Sequence, residues 1–219
     1  MHRHFEEVEK ELLNRLLYMG SLAEEMIHLA VEGLEKRAEE PLKKVAANEE
    51  QVNNLHIELD DRCLKLLALH QPAAGDLRFI MAAIKINSDL ERIADQAVNI
   101  SENAAVLLSQ PPLQRKLLNI PRMAVLAQGM LKDSLDSLVK KDVNLARSVV
   151  GRDDEEDKLK GSAFTDLMEL MQSDSSTIQR ALGLILIARN IERIADHATN
   201  VAEDVIFMVL GKDIRHHAQ

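Results

Sequence analysis

The chain has 219 residues and a formal net charge of −9, and it is 46% hydrophobic but only 2% aromatic. A hydrophobic fraction of this size can bury a sizeable aliphatic core, and the scarcity of glycine (8) and proline (5) favours helices over a β-sandwich or barrel. The acidic balance disfavours nucleic acid as a partner, because an acidic surface repels phosphate backbones.

Cysteine content and hydropathy indicate the compartment. Cys63 is the single cysteine, so no disulfide can form within one chain, which is typical of a reducing environment. The opening segment "MHRHFEEVEKELL" is charged and lacks the apolar stretch of a signal peptide. No run of about 18 apolar residues occurs, so we predict a cytoplasmic protein without direct membrane insertion.

Helical periodicity predicts three helices in the first half of the chain. Apolar or small residues recur at steps of three and four along the first helix, at Leu13, Leu16, Gly20, Ala23, Ile27, Ala30 and Leu34. The second helix begins near Pro41, a residue type that is tolerated in a first helical turn. The third helix runs from about Asp76 to Leu108.

A pair of prolines separates this half from the next. The segment "SQPPLQ" (Ser109–Gln114) cannot lie inside a helix. Three further helices are predicted from about Pro121 to Lys140, from near Asp142 to "MQSDSS", and from a capping box at Ser176 to a glycine cap at Gly211. The sequence therefore predicts an all-α fold of six long helices, a tandem repeat of two three-helix bundles at residues 1–110 and 116–212.

One acidic phrase occurs in both halves. Residues 91–102 read "ERIADQAVNISE" and residues 192–203 read "ERIADHATNVAE", with eight of twelve positions identical. Both copies fall on the third helix of their half, beside its apolar stripe. A repeat of this length indicates a duplicated domain.

Each copy carries two acids four residues apart, Glu91 with Asp95 and Glu192 with Asp196. Acids at this spacing lie one above the other on a helix, and their repulsion costs about 0.2–0.5 kcal/mol. The same repulsion occurs at matched positions in both halves, which indicates that a bound cation compensates for it.

The second helix of each half offers partners for these acids. Asp153 and Asp157 have the same spacing, and Glu49 and Asn53 occupy the matching stretch of the first half. If the second and third helices are antiparallel neighbours, the pairs converge into a cluster of oxygen ligands that suits hard cations. The expected cofactor is a divalent or ferric ion (Fe, Mn, Mg or Zn), and the spacing does not choose among them.

Other interpretations of the acids remain open at this point. An E-x-x-x-D pair is usually only a solvated helix face, which would make the chain a metal-free structural adaptor. A carboxylate di-iron or storage protein is a second alternative, although Glu25-x-x-His28 supplies only half of the ligand motif that di-iron bundles need. The sequence has no phosphate-binding glycine-rich loop and no nucleophile elbow, so we do not predict an enzyme.

Two long segments resemble the PhoU family of bacterial phosphate-transport regulators. They are "LALHQPAAGDLRFIMAAIKINSDLERIADQAVNISE" and "LILIARNIERIADHATNVAEDVIFMVLG". The resemblance extends from the first helix to Gly211. It implies two tandem three-helix bundles with metal clusters on paired acidic motifs, which map to Glu91, Asp95, Glu192, Asp196, Asp153 and Asp157. Glu49 and Asn53 match less well, because Asn53 stands where an acid is expected.

The resemblance also implies a function. It suggests a non-enzymatic negative regulator of the phosphate-starvation (Pho) response that couples the ABC phosphate importer to a sensor histidine kinase and modulates phosphate uptake. The implied partners are the sensor kinase PhoR, the transporter ATPase subunit PstB and a second copy of the chain in a homodimer.

Overall fold

The computed structural model describes residues 2–70, 72–113 and 119–214, and all regular secondary structure in these ranges is helical. Its helices are α1 (His2–Lys36), α2 (Glu39–His70), α3 (Ala74–Leu108), α4 (Asn119–Lys140), α5 (Val143–Val150), α6 (Asp153–Ser173) and α7 (Ile178–Leu210), with a 3-10 turn at Ser175–Thr177. The all-α prediction is confirmed. None of the helices in these ranges is long and apolar enough to cross a membrane.

The helices form two bundles. Helices α1, α2 and α3 pack on one another, and α4, α6 and α7 do the same with α5 added against α4 and α7. The bundles meet where α3 packs along α7 and α1 touches α4. A tandem of two three-helix bundles is thus confirmed, while the predicted domain bounds at residues 1 and 116 lie outside the described residues.

The fifth predicted helix is divided in two. Asp142 caps α5, where its carboxylate accepts hydrogen bonds from the backbone N–H groups of Asn144 and Leu145. The helix ends at Gly151, a residue with low helix propensity, and the next side chain, Arg152, donates to Asp133 on α4 at 2.6 Å. The second bundle therefore has a short additional helix, whereas α2 of the first bundle is continuous.

The apolar stripes of the two third helices are buried at matching positions. Those of α3 are Ile86, Leu90, Ile93, Ala97 and Ile100, and those of α7 are Ile187, Ile191, Ile194, Ala198 and Val201. Corresponding members lie 101 residues apart in the sequence. The duplication predicted from the repeated phrase is therefore also a duplication of packing.

Helices α3 and α7 run antiparallel. Arg78, near the start of α3, donates to the backbone oxygen of Met208 near the end of α7, at 3.3 Å. At the opposite end, Leu107 of α3 lies beside Gly183 of α7. This packing joins the two bundles into one continuous core.

The proline segment is anchored at several points. The Arg37 guanidinium donates to the backbone oxygens of Leu107, Leu108 and Gln110. Arg180 donates to the oxygen of Pro111 at 3.1 Å. The described part of the segment is therefore fixed to both bundles, and its predicted last residue, Gln114, lies outside the described residues.

Of the two predictions for the ends of α7, the N-terminal capping box is wrong and the C-terminal glycine cap is confirmed. The capping box at Ser176 is wrong, because Asp174 caps the 3-10 turn by accepting from the Ser176 N–H at 2.9 Å, and α7 begins only at Ile178. Gly211 ends the helix in the left-handed region at a φ of +68° and donates its N–H to the Phe207 oxygen. This conformation favours glycine.

Two glycine substitutions test the contact between the bundles. Gly161 lies inside α6 with nothing within 4 Å of an added Cβ, so Gly161→Ala should stabilise the protein by about 0.5–1 kcal/mol. Gly20 lies inside α1, where an added Cβ would come within 2.6 Å of a Leu135 methyl on α4. In urea unfolding, we expect Gly20→Ala to raise the free energy of unfolding less than Gly161→Ala does, or to destabilise the protein. An equal gain at both sites would contradict the α1–α4 contact.

Candidate metal centre

The acid pairs predicted on the second bundle come together. Asp153 and Asp157 lie in the first turns of α6, and Glu192 and Asp196 lie on α7, which packs against α6. We call these four residues the α6–α7 acidic cluster. Their proximity shows in their electrostatics: partial burial raises the pKa of Asp153, and the negative charges of Asp157, Asp154 and Glu192 raise it further.

An ammonium group bridges the two helices within this cluster. The Lys160 Nζ donates to Asp157 Oδ1 and to Glu192 Oε1, each at 2.7 Å. These hydrogen bonds raise the pKa of Lys160, so the lysine is charged. A positive charge therefore already lies at the point where carboxylates from α6 and α7 meet.

Lys160 does not relieve the whole cluster. Burial raises the pKa of the Asp196 carboxyl group to about 6, with further contributions from the charges of Glu192 and Asp153. The Asp196 residue as a whole remains exposed. The cluster thus keeps an excess of negative charge at a position that solvent ions can reach.

Glu156 is the residue that the sequence interpretation missed. It is only 1% exposed, and neither of its carboxylate oxygens has a hydrogen-bond partner. Burial raises its pKa to about 8, and the charges of Glu192 and then Asp157 add to the shift. The signal was present in the sequence, because Glu156 begins the buried stripe of α6 that continues through Leu159 and Ala163.

The predicted first-bundle site has three acids, Glu91, Asp95 and Glu49, together with Asn53. Glu91 is partly buried on α3, and its carboxylate lies 3.6 Å from the guanidinium of Arg92. Asp95 on α3 and Glu49 on α2 are half-buried, while Asn53 is exposed and carries no charge. Helices α2 and α3, which carry these residues, pack against each other.

The side chains are not yet arranged as a coordination sphere. Among the described residues, no group of three or more His, Cys, Asp or Glu side chains could hold a metal ion as it stands. Two features nevertheless fit a cation: the ammonium held between Asp157 and Glu192, and the unpaired buried oxygens of Glu156. Ligation would require these side chains to change rotamer.

Polar groups fix the nearby contact between α3 and α7. Asp89 of α3 lies 2.8 Å from His197 Nδ1 and accepts from Asn200 Nδ2 at 3.2 Å, both on α7. Beside this contact is a cleft open to solvent, whose lining includes Asp153, Asp196, Arg92 and Arg193. The acidic cluster therefore borders the seam between the two bundles.

The two halves are duplicated helical bundles whose third helices pack on one another. Acidic residues lie close to one another across neighbouring helices at the surface. These features define the class of tandem three-helix-bundle proteins with acidic surface sites. The chain belongs to the PhoU family. The PhoU domain model matches it twice, over residues 16–104 and 120–205.

Full-length relatives support this assignment. A phosphate-specific transport system accessory protein PhoU homolog of Aquifex aeolicus is 39% identical over 97% of this chain and 95% of that protein. A homolog of the same name from Caulobacter vibrioides is 37% identical over 90% of this chain and 85% of its own length. The crystal structure of PhoU from Pseudomonas aeruginosa superposes with a TM-score of 0.92 at 33% identity, covering 95% of this chain and all of that chain.

Glu156→Val should raise the free energy of unfolding, with a gain that grows with pH. Burial holds the pKa of Glu156 at about 8 in the native state, against an ordinary value of 4.5, so the wild type loses stability as pH rises through this window. We expect the gain at pH 8.5 to exceed the gain at pH 5 by about 2–4 kcal/mol. Urea unfolding with a chelator present measures it.

The control for this experiment is the same substitution at the exposed neighbour Glu155. Glu155→Val should change stability little and by a similar amount at both pH values. A gain at Glu156 that does not depend on pH would show that its carboxyl group is not buried as described.

Proposed function

We propose that this protein is a negative regulator of the phosphate-starvation response, acting between an ABC phosphate importer and a sensor histidine kinase. The observation that carries the proposal is similarity over nearly the whole chain to relatives named phosphate-specific transport system accessory proteins. The proposed partners are the kinase PhoR and the ATPase subunit PstB, and the proposed site of action is the cytoplasm.

Regulation by contact suits the architecture. Two similar bundles are fixed to one another through α3 and α7, so the protein presents two related faces in a constant orientation. A ligand shifts an equilibrium when it binds one conformation of its partner better than another. The protein would in this way favour the inactive state of the kinase when phosphate is plentiful, without catalysing a reaction and as a homodimer.

The proposal includes a bound cation on the second bundle. Asp153, Asp157, Glu192 and Asp196 would hold it, because burial and the neighbouring negative charges raise the pKa of Asp153 and of Asp196, and a bound cation would relieve that repulsion. An oxygen donor set is typical of hard divalent ions and of iron. Glu91, Asp95, Glu49 and Asn53 form the corresponding and weaker first-bundle site.

Paired double variants test the metal assignment. Glu192→Gln with Asp196→Asn removes the α7 ligands, and Glu91→Gln with Asp95→Asn makes the same change in the first bundle. We expect elemental analysis to show the larger loss of metal in the second-bundle variant, because the first bundle has Asn53 in place of an acid. Circular dichroism confirms that both variants remain folded.

Unchanged metal content in both double variants would remove the metal assignment. The chain would then fit the metal-free adaptor. Oxygen or peroxide reactivity after iron loading would instead favour the di-iron alternative, and many ions per chain would favour storage.

Deletion of the gene tests the regulatory role. We expect phosphate-starvation genes to be expressed in phosphate-rich medium, because nothing then holds the kinase in its inactive state. A reporter fusion measures this, with the wild-type chain restored as the control. Silent genes in the deletion strain, together with no retention of the kinase or the ATPase subunit by the purified protein, would overturn the regulatory proposal.

A further inference from the structure

Glu156 occupies a position that belongs to the core. Along α6 the buried residues are Glu156, Leu159, Ala163 and Leu167, and along α2 the residues Val52, Leu55, Leu59 and Cys63 are buried at the same spacing. Glu156 thus corresponds to Val52, which is fully buried. One half of the duplicated chain has a carboxylate where the other half has a methyl-bearing side chain.

A carboxylate in this place is unfavourable by itself. Burying a polar group without a partner costs free energy, and the cost is larger for a charge. Lys160, one helical turn further on, does not compensate through a hydrogen bond, because its ammonium donates to Asp157 and Glu192. Packing therefore does not account for Glu156, since valine fills the equivalent position.

The carboxylate faces the acidic cluster. Asp153, Glu156, Asp157 and Lys160 follow one another at helix positions i, i+3, i+4 and i+7, so they share one face of α6. Lys160 on this face reaches Glu192 of α7, so the face lies along the α6–α7 contact. Glu156 is the buried member of this face, and its unpaired oxygens lie on the core side of the cluster.

We propose that Glu156 is an additional ligand, on the core side, for a hard divalent cation bound by the α6–α7 acidic cluster. The proposal rests on the metal site proposed above. The cation takes the place that the Lys160 ammonium has between Asp157 and Glu192, and Glu156 supplies an oxygen from the side opposite solvent. The first bundle lacks this ligand, because Val52 stands in its place.

Manganese binding to the 219-residue chain tests this inference. After chelation and dialysis, Mn²⁺ is titrated into the wild type, Glu156→Gln and Glu156→Val, and binding is followed by calorimetry and by the electron paramagnetic resonance signal of free Mn²⁺. We expect the tightest site to weaken by about tenfold or more in both variants, since ligand number and charge set affinity in oxygen sites. Glu155→Gln, which removes an exposed charge from the next residue, should leave the affinity within about twofold.

Thermal unfolding separates a ligand from a structural residue. Without metal, Glu156→Val should be at least as stable as the wild type, so weaker binding cannot be attributed to a damaged fold. With Mn²⁺, the rise in Tm should be smaller in Glu156→Val than in the wild type, because the native state gains less from a more weakly bound ion.

The outcomes distinguish this inference from the proposal on which it rests. If Glu192→Gln abolishes tight Mn²⁺ binding while both Glu156 variants bind as the wild type does, the role of Glu156 is wrong and the metal site stands. If the wild type itself takes up no Mn²⁺, or Glu192→Gln has no effect, both the metal site and the additional ligand are overturned.

Discussion

The packing of α3 against α7 is the contact on which the rest of the molecule depends. Each of these helices closes the core of its own bundle and also contacts the other, so apolar residues are required on more than one side. The antiparallel pairings place the middle of the contact near Ala94 and Ala195, both buried, where small side chains allow close approach. The repeated phrase is therefore constrained by packing as well as by its acids.

The second helix of each half is less constrained by packing between the bundles, and the two halves differ in this helix. Helix α2 is continuous, whereas the corresponding part of the second half is interrupted at Gly151 between α5 and α6. The interruption sets Asp153 in the first turn of a new helix, where the helix dipole favours negative charge. The break thus gives α6 its own acidic start facing α7, and this makes the two halves unequal in the acids that they place beside their third helix.

The sequence predicted the stripes, the bundles and the pairing of Asp153 and Asp157 with Glu192 and Asp196, because helix geometry fixes which residues share a face. It did not predict the ammonium bridge of Lys160 or the burial of Glu156. Both depend on how deeply α6 sits against α7, which spacing along one helix does not determine. Comparing Glu156 with Val52 would have revealed the buried acid, but a run of seven charged residues (residues 152–158) is more readily interpreted as a solvated face.

The acidic cluster lies at the start of α6, a helix that also exposes apolar side chains to solvent. Phe164 and Met168 of α6 are 49% and 37% exposed, so this helix presents apolar side chains to solvent while its first turns carry the carboxylates. Repulsion between the acids of α6 and α7 opposes their close packing, and Lys160 offsets it only in part. A cation between the two helices would therefore hold α6 more firmly against α7. Because α7 is in turn fixed to α3, the position of this exposed face would be coupled to the contact that joins the two bundles.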